Sequence, residues 1–547
     1  MNRIYRLIFI LCAFCGIAQA QPERPKLVVG IVIDQMRWDY LYRYYARYGE
    51  GGFKRMLGEG FSVENCQIPY IPSVTAIGHS CVNRNDEARD IMDSVGSVPS
   101  IHGIAGNAFV KDGKIVNCVG DNTVKPVGSD GKAGYMSPRN LWVTTIGDEL
   151  RLATNNRSKV VGVALKDRAA ILPAGHHANG AYWFDDKAGR FITSTFYMDK
   201  LPEWVNKFNK RKLAEKYLSQ KWETLYPIDT YQQSTADANN YENGIVDGEK
   251  AQLPLDLAAL YKKHGYKIIR NTPFGCNLTF DIAKAAIEGE NLGKNTDTDL
   301  LTISCSSTDY IGHQVGVNAV ETEDCYLRLD QALADFFSYL DKTIGKGNYL
   351  TFLTADHGAV NNAAFLQDQR IPAGIWNGKS MVKELNQELK AKFNTDKDLV
   401  MTIMNYQVFF NTATIEEAGL DYAAVKQVVV NRLKKEKIVH YAFDMEKTST
   451  ESIPEQLKFR AINGYNRERS GGVQIVLKPA HYEYDVAKGT SHGAWNPYDI
   501  HIPLVFMGWH IQHGATTQPH YMTDIAATVS ALLHIQAPNG CIGTPIF

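Results

Sequence analysis

The chain has 547 residues, of which 44% are hydrophobic and 21% charged, enough apolar material for a large core. That composition excludes a disordered chain and a short disulfide scaffold. Lys and Arg total 58 against 59 Asp and Glu, a net charge of -1, so no global basic surplus exists to hold a nucleic-acid backbone and no nucleic-acid-binding role is expected.

At the N-terminus, Arg3 and Arg6 precede an apolar stretch from Leu7 to Ile17 and then Ala18-Gln19-Ala20. Residues 1–20 therefore read as a secretory signal peptide, too short to remain as a membrane span. Export to the periplasm is expected. No other uninterrupted apolar stretch reaches about 18 residues, so the mature chain, 21–547, is expected to have no transmembrane segment. Cleavage leaves 56 basic and 59 acidic residues. It also leaves Cys66, Cys81, Cys118, Cys276, Cys305, Cys325 and Cys541, an odd set in which at least one thiol has no intrachain disulfide partner. Among these seven there is no C-x-x-C pair, which argues against a cysteine zinc site in the mature chain.

From Lys26 the chain reads KLVVGIVIDQMRWDYLYRYY, an apolar run that ends in Asp34 and passes into an aromatic-rich helical pattern. The same strand-turn-helix order recurs in VVGVALKDRAAI (Val160 to Ile171), in DLLTISCSSTDYIGH, whose strand is expected to end near Asp309, and in NYLTFLTADHG, which ends at Asp356 and His357. Continuous apolar strands are buried on both faces, as in a parallel sheet between helices. The expectation is an α/β fold with a doubly wound, mostly parallel sheet flanked by helices, in which ligands bind beyond the carboxyl ends of the strands.

Two stretches read as insertions in a single domain: about 182–250, opening with a hairpin around Asp186 to Gly189 and a helix near Pro202 to Trp222, and about 380–484. In the second, Met381, Leu385, Leu389 and Phe393 recur every four residues, an amphipathic helical face that reads as core packing.

The chemistry-bearing residues stand at the expected strand ends. Asp309-x-x-x-His313 places two ligands one helical turn apart on one face. Asp356-His357 sits at a strand-to-loop turn, and Gly358 permits a tight path there. His492 lies in KGTSHGAW, whose glycines let a loop close around a site. A lone strand-terminal Asp is most often a helix cap, and a lone His an ordinary residue. With Asp34, however, the set comprises three carboxylates and three imidazoles, enough for two mixed N/O metal sites with open positions.

These residues lie in motifs that resemble the alkaline phosphatase superfamily, and within it the PafA-like, phosphate-irrepressible alkaline phosphatases. The resemblance runs from about Leu27 to the C-terminus and is carried by GIVIDQMR, YIPSVTAIGHS, GSVPSIHGIAGN, LKDRAAILPAGH, SSTDYIGH, TADHG and GTSHG. It implies two zinc ions per chain, one held by Asp309, His313 and His492, the other by Asp34, Asp356 and His357. It also implies that Thr75 is a nucleophile that becomes phosphothreonine, that Asn107, Lys166 and Arg168 hold phosphate oxygens, and that phosphate monoesters are hydrolysed to inorganic phosphate. His79 follows Thr75 by four residues but is expected to be structural, because a metal-activated hydroxyl needs no imidazole base.

Magnitudes favour so large a constellation. Phosphate monoester hydrolysis demands accelerations of up to about 10²¹, whereas one acid or base supplies roughly 10² to 10⁴. Positive charge on the transferring group must supply most of the remainder. If the strand continues through Lys166 and Arg168, the two share a face. Residues 83–95, NRNDEARDIMDSV, carry six charges where relatives have a short link, and read as a solvated, dispensable excursion. The alternatives are a phosphodiesterase or nucleotide pyrophosphatase of the same superfamily, and a non-catalytic exported zinc-binding protein. A serine-hydrolase elbow and a formylglycine sulfatase motif are not found.

Overall fold

Strands form where apolar, β-branched runs can be covered on both sides. Leu27–Ile33, with the sequence LVVGIVI, is buried at all seven positions. Each such aliphatic side chain contributes about 1.5–3 kcal/mol when fully buried. The computed structural model describes residues 23–81, 97–246, 248–250, 252–485 and 487–547. The expected signal peptide and the charged 83–95 excursion lie outside the described residues.

The main sheet has ten strands: β1 (Leu27–Ile33), β2 (Phe61–Val63), β3 (Pro126–Val127), β4 (Val160–Ala164), β5 (Gly180–Asp185), β6 (Arg190–Ser194), β7 (Asp299–Cys305), β8 (Tyr349–Thr354), β9 (Leu504–Gly508) and β10 (Gly514–Thr516). Their order is β10-β2-β9-β8-β1-β7-β4-β5-β6-β3. The centre is parallel, from β8 through β1, β7 and β4 to β5. Toward the edges β9 pairs antiparallel with β8 and β2, and β6 antiparallel with β5 and β3. The sheet is therefore mixed, with the expected parallel arrangement confined largely to its centre. There β1, β4, β5, β7 and β8 are buried along their whole length, as strands covered on both faces must be.

Four helices place the site: α1 (Thr75–Cys81), α2 (Asp167–Ala174), α3 (Phe274–Glu290) and α4 (Ser307–Val315). The two expected insertions differ in kind. The hairpin around Asp186 to Gly189 forms, with Arg190 opposite Asp185, but its strands are β5 and β6 and extend the main sheet. After it, the helix expected over Pro202 to Trp222 is two helices, Glu203–Lys210 and Leu213–Leu218, broken where Lys212 takes a left-handed φ of 51°.

The 380–484 block builds its own core. Helix Gly378–Phe393 buries Met381, Leu385 and Leu389, with Phe393 packed beside them, as the four-residue spacing predicts. They lie with Val408, Val425, Val429 and Ile475 in a cluster separate from that of the main sheet. The block's antiparallel sheet runs Val400–Met404, Gln407–Phe410, Val473–Leu477, Val439–Asp444 in spatial order. Among the described residues, no helix is long and apolar enough to cross a membrane.

Candidate active site

Asp34 directly follows β1 and Asp356 lies two residues beyond β8. Asp309 departs from expectation: β7 ends at Cys305, and Asp309 sits in the first turn of α4. Thr308 Oγ1 turns the chain there, donating to the backbone oxygens of Asp34 at 2.5 Å and Cys305 at 3.1 Å. From α4, Asp309 and His313 meet as one-turn neighbours, Oδ1 to Nε2 3.1 Å.

The six residues gather as two groups, Asp309 with His313 and His492, and Asp34 with Asp356 and His357, in each of which the potential ligand atoms lie within 4.8 Å of one another. All three imidazoles are oriented alike. Nδ1–H of His313 donates to Thr490 O, that of His357 to Gly358 O and that of His492 to Ser73 O, at 2.9, 3.0 and 2.8 Å. Each Nε2 is thereby left as an inward-facing lone pair, the tautomer a metal ligand requires. His357 and His492 stack at 3.5 Å between centroids, bringing the two groups side by side.

A metal fits these residues. Asp34 Oδ1 and Asp356 Oδ2 are buried and, among the described residues, accept no hydrogen bond, which is costly for a carboxylate unless a cation satisfies it. Burial and the neighbouring Asp34 push the Asp356 carboxyl well above the ordinary carboxylate range, the signature of charge crowded without enough positive partners.

Over residues 28–499 the chain matches the family described as type I phosphodiesterase / nucleotide pyrophosphatase. It is 51% identical over 528 residues to alkaline phosphatase PafA of Elizabethkingia meningoseptica, covering 96% of this chain and 94% of that one. A crystal structure of wild-type alkaline phosphatase PafA superposes with a TM-score of 0.92 at 50% identity, over 96% of this chain and 99% of that one. The chain belongs to the type I phosphodiesterase/nucleotide pyrophosphatase family of the alkaline phosphatase superfamily. A protein of Myroides odoratus named calcium-transporting ATPase is 50% identical over 554 residues, covering 100% of this chain and 99% of that one.

In this family member Thr75 opens α1 and is 1% exposed. Its Oγ1 lies 3.3 Å from His357 Nε2 and 3.5 Å from Lys166 Nζ. Lys166 is buried and joins the two groups: Nζ donates to Asp34 Oδ2 at 2.6 Å and Asp309 Oδ2 at 2.5 Å. Burial opposes the ammonium charge, but Asp309 and Asp34 outweigh it and hold the pKa above that of an ordinary lysine. Asn107 accepts from Ala76 N–H, the residue after Thr75, through Oδ1 at 2.9 Å, which leaves Nδ2 as the amide's donor.

Lys166 and Arg168 do not share a strand face. β4 stops at Ala164, Lys166 is the extended residue before α2, and Arg168 lies in the first helical turn. Lys166 thus reaches the carboxylates, whereas the Arg168 guanidinium stays beside Asp167, Nη1 to Oδ1 3.6 Å, with a buried Nε that has no partner among the described residues. Burial opposes the Arg168 charge and Asp167 overcomes it, so the pKa is raised.

His79 faces away from the Thr75 hydroxyl. Its Nδ1–H donates to Thr75 O and its Nε2 accepts from Ser304 Oγ, both at 2.8 Å. Burial lowers its pKa to about 4, so it is a neutral strut of α1.

Sequence reasoning passed over Gln35. Its N–H donates to Asp356 Oδ1 at 3.1 Å and its Nε2 to Asp309 Oδ1 at 2.7 Å, linking both groups from one residue. The available signal was a polar residue directly after Asp34 where the strand leaves the sheet. Tyr310 was also missed: its ring lies 5.0 Å from Lys166 Nζ and its hydroxyl accepts from Arg270 Nη1 at 2.8 Å.

Proposed function

We propose that this chain is an exported, periplasmic phosphomonoesterase that binds two zinc ions, one through Asp309, His313 and His492 and one through Asp34, Asp356 and His357. It hydrolyses small phosphate monoesters to inorganic phosphate through a phosphothreonine at Thr75. The observation that carries this reading is the position of the buried Thr75 hydroxyl 3.3 Å from His357 Nε2 and 3.5 Å from Lys166, whose ammonium bonds a carboxylate of each group. As an alkaline phosphatase-type hydrolase the chain matches the activity for which PafA is named.

The bound ions would supply Lewis-acid polarisation of phosphoryl oxygens and lower the proton affinity of the attacking hydroxyl and, later, of water. The chain's own residues do the rest. Thr75 Oγ1 gives up its proton and bonds to phosphorus as the ester P–O bond breaks, and the alcohol leaves with a proton from solvent. Water then cleaves the Thr75–phosphate bond and phosphate leaves. Lys166 contributes a fixed positive charge, Asn107 Nδ2 a neutral donor, and Arg168 a planar fork suited to two oxygens. Donors and charges held by a folded scaffold need little reorganisation as charge develops on the transferring group.

The description of the family also covers diester hydrolases. Lys166 and Arg168 favour a monoester, whose dianionic phosphoryl has one more charged oxygen than a diester. The name of the Myroides relative concerns ATP, and loss of a terminal phosphoryl group from ATP is within the chemistry proposed here.

The test is metal analysis of the purified protein, with p-nitrophenyl phosphate and bis-p-nitrophenyl phosphate assays before and after chelation, on wild type and Thr75→Ala. Zinc-dependent monoester turnover that disappears in Thr75→Ala supports the reading. Faster diester cleavage, or full turnover by Thr75→Ala, overturns it. The mature N-terminus recovered from the periplasm should be Gln21.

A further inference from the structure

The segment that carries Asn107 is held at both ends by the 380–484 block. At its start, Gly103 O accepts from Arg469 Nη1 at 2.6 Å, and the same nitrogen donates to Asn140 O at 2.6 Å. The Arg469 guanidinium lies 4.7 Å from the Phe109 ring and 4.2 Å from that of Trp142, so aromatic faces accompany its charge. At the segment's end, Ala108 O accepts from Asn405 Nδ2 at 3.2 Å. In between, the approach is so close that a Cβ on Gly106 would stand 2.2 Å from Asn405 Nδ2.

The next residue reaches the metal side. Tyr406 OH donates to His492 O at 3.3 Å, and a Cβ on Gly493 would stand 2.7 Å from the Tyr406 ring. Two glycines of the motifs GIAGN and GTSHG thus lie directly against this one turn, and Gly493 also has a φ of 113° that favours glycine. Asn405 and Tyr406 both have left-handed backbones, φ 54° and 58°. Asn tolerates that conformation, whereas for a bulky tyrosine it is unfavourable and persists only where surroundings over-determine it.

We propose that the 380–484 block is a positioning element for the active site: Asn405 and Arg469 fix the backbone from Gly103 to Ala108 so that Asn107 Nδ2 meets a phosphoryl oxygen, and Tyr406 fixes the His492 loop. The proposal rests on reading Asn107 as a phosphate-oxygen donor. The Asn107 side chain accepts one neutral hydrogen bond from Ala76, a weak hold for such a donor, and its backbone oxygen is held on the other side by Cys118 N–H at 3.1 Å. A displacement of about 1 Å at a positioned group is enough to cost a large factor in rate, so the backbone behind Asn107 must be clamped.

The experiment is a double-mutant cycle on the metal-loaded enzyme, reading the inhibition constant of inorganic phosphate together with kcat and KM for p-nitrophenyl phosphate. Asn405→Asp keeps the left-handed turn but removes the donor to Ala108 O. It should weaken phosphate about three- to tenfold, the scale of one lost hydrogen bond, with unchanged zinc content and Tm. Asn107→Ala should weaken phosphate as well, and the double variant should match Asn107→Ala alone. If Asn405→Asp does not fold, Gly106→Ala displaces the same contact from the other side and should show the same loss and the same absence of further loss on Asn107→Ala. Weakened Asn107→Ala with an unchanged or fully additive second substitution overturns the proposal while leaving the reading of Asn107 intact. Unchanged phosphate binding in Asn107→Ala overturns both.

Discussion

Gly78 stands three residues after Thr75 in α1, where an alanine should be the better helix former. A Cβ there would lie 2.5 Å from Asp356 Cβ, 2.6 Å from Asp356 O and 2.7 Å from Asp356 Cα. None of these is the end of a flexible side chain, so Gly78→Ala must drive α1 and the Asp356 turn apart by about 1 Å, an overpacking cost of about 1–3 kcal/mol. Alanine returns about 1 kcal/mol of helix propensity, so the net loss of stability is at most about 2 kcal/mol. The geometric effect is larger, because Thr75 and Asp356 are the groups displaced. A misplacement of about 1 Å costs roughly 10² in rate, equivalent to about 2.7 kcal/mol of barrier. The assay is kcat/KM on p-nitrophenyl phosphate, with zinc content and Tm measured on the same preparation. The expected variant is folded and about 10²-fold slower. Wild-type kcat/KM in Gly78→Ala would refute the claim that the Thr75–Asp356 spacing is held by this close approach.

Arg168→Ala should lower monoester kcat/KM by about 10²–10³ while changing diester cleavage much less, so the monoester-to-diester ratio collapses; an equal loss on both substrates contradicts the role given to the guanidinium. Lys166→Met leaves Asp34 and Asp309 without their ammonium, and stranding buried charges costs about 3–5 kcal/mol. Thermal melts with and without chelator should show a larger destabilisation in the metal-free protein, since bound cations replace the missing charge; the same loss in both states counts against the reading. Burial and then Asp485 raise the Glu483 pKa from 4.5 to about 7. The folded protein therefore holds this proton more tightly than the unfolded chain, and stability falls as pH rises through that window. Glu483→Gln should flatten the Tm profile between pH 4.5 and 7, and an unaltered profile would be the contrary result.

The candidate site was legible wherever function is written in local spacing. Asp309 and His313 are one turn apart, and that turn forms. Asp34 and Asp356 follow apolar runs, and those runs are neighbouring parallel strands of the sheet centre. The boundary at Cys305 was misjudged because the polar run SSTD reads equally as strand end or helix start; the hydrogen bond from Thr308 to Asp34 O, a contact across 274 positions, decides it. The same holds for Lys166 and Arg168. Period-two alternation places them together, whereas the turn into α2 sends Lys166 to the carboxylates and leaves Arg168 beside Asp167. The hairpin at Asp186 to Gly189 was recognisable from its turn residues, but nothing local says which sheet its strands join.

The amino-acid sequence by itself determined which chemical groups are available and which stretches bury: apolar strands that must be covered on both faces, and carboxylates and imidazoles ordered from Asp34 to His492. Those are properties of residue type and short-range periodicity, and they survive in one dimension. Only the tertiary structure decided the rest: that Gln35 ties the two groups together, that Lys166 stands across both, that Gly78 has no room for a Cβ because Asp356 lies against it, and that Asn405 and Arg469 bond the backbone on either side of Asn107. Each of these is a contact between residues far apart in the chain, set by how the main sheet and the 380–484 block pack, and close packing leaves no trace in local composition.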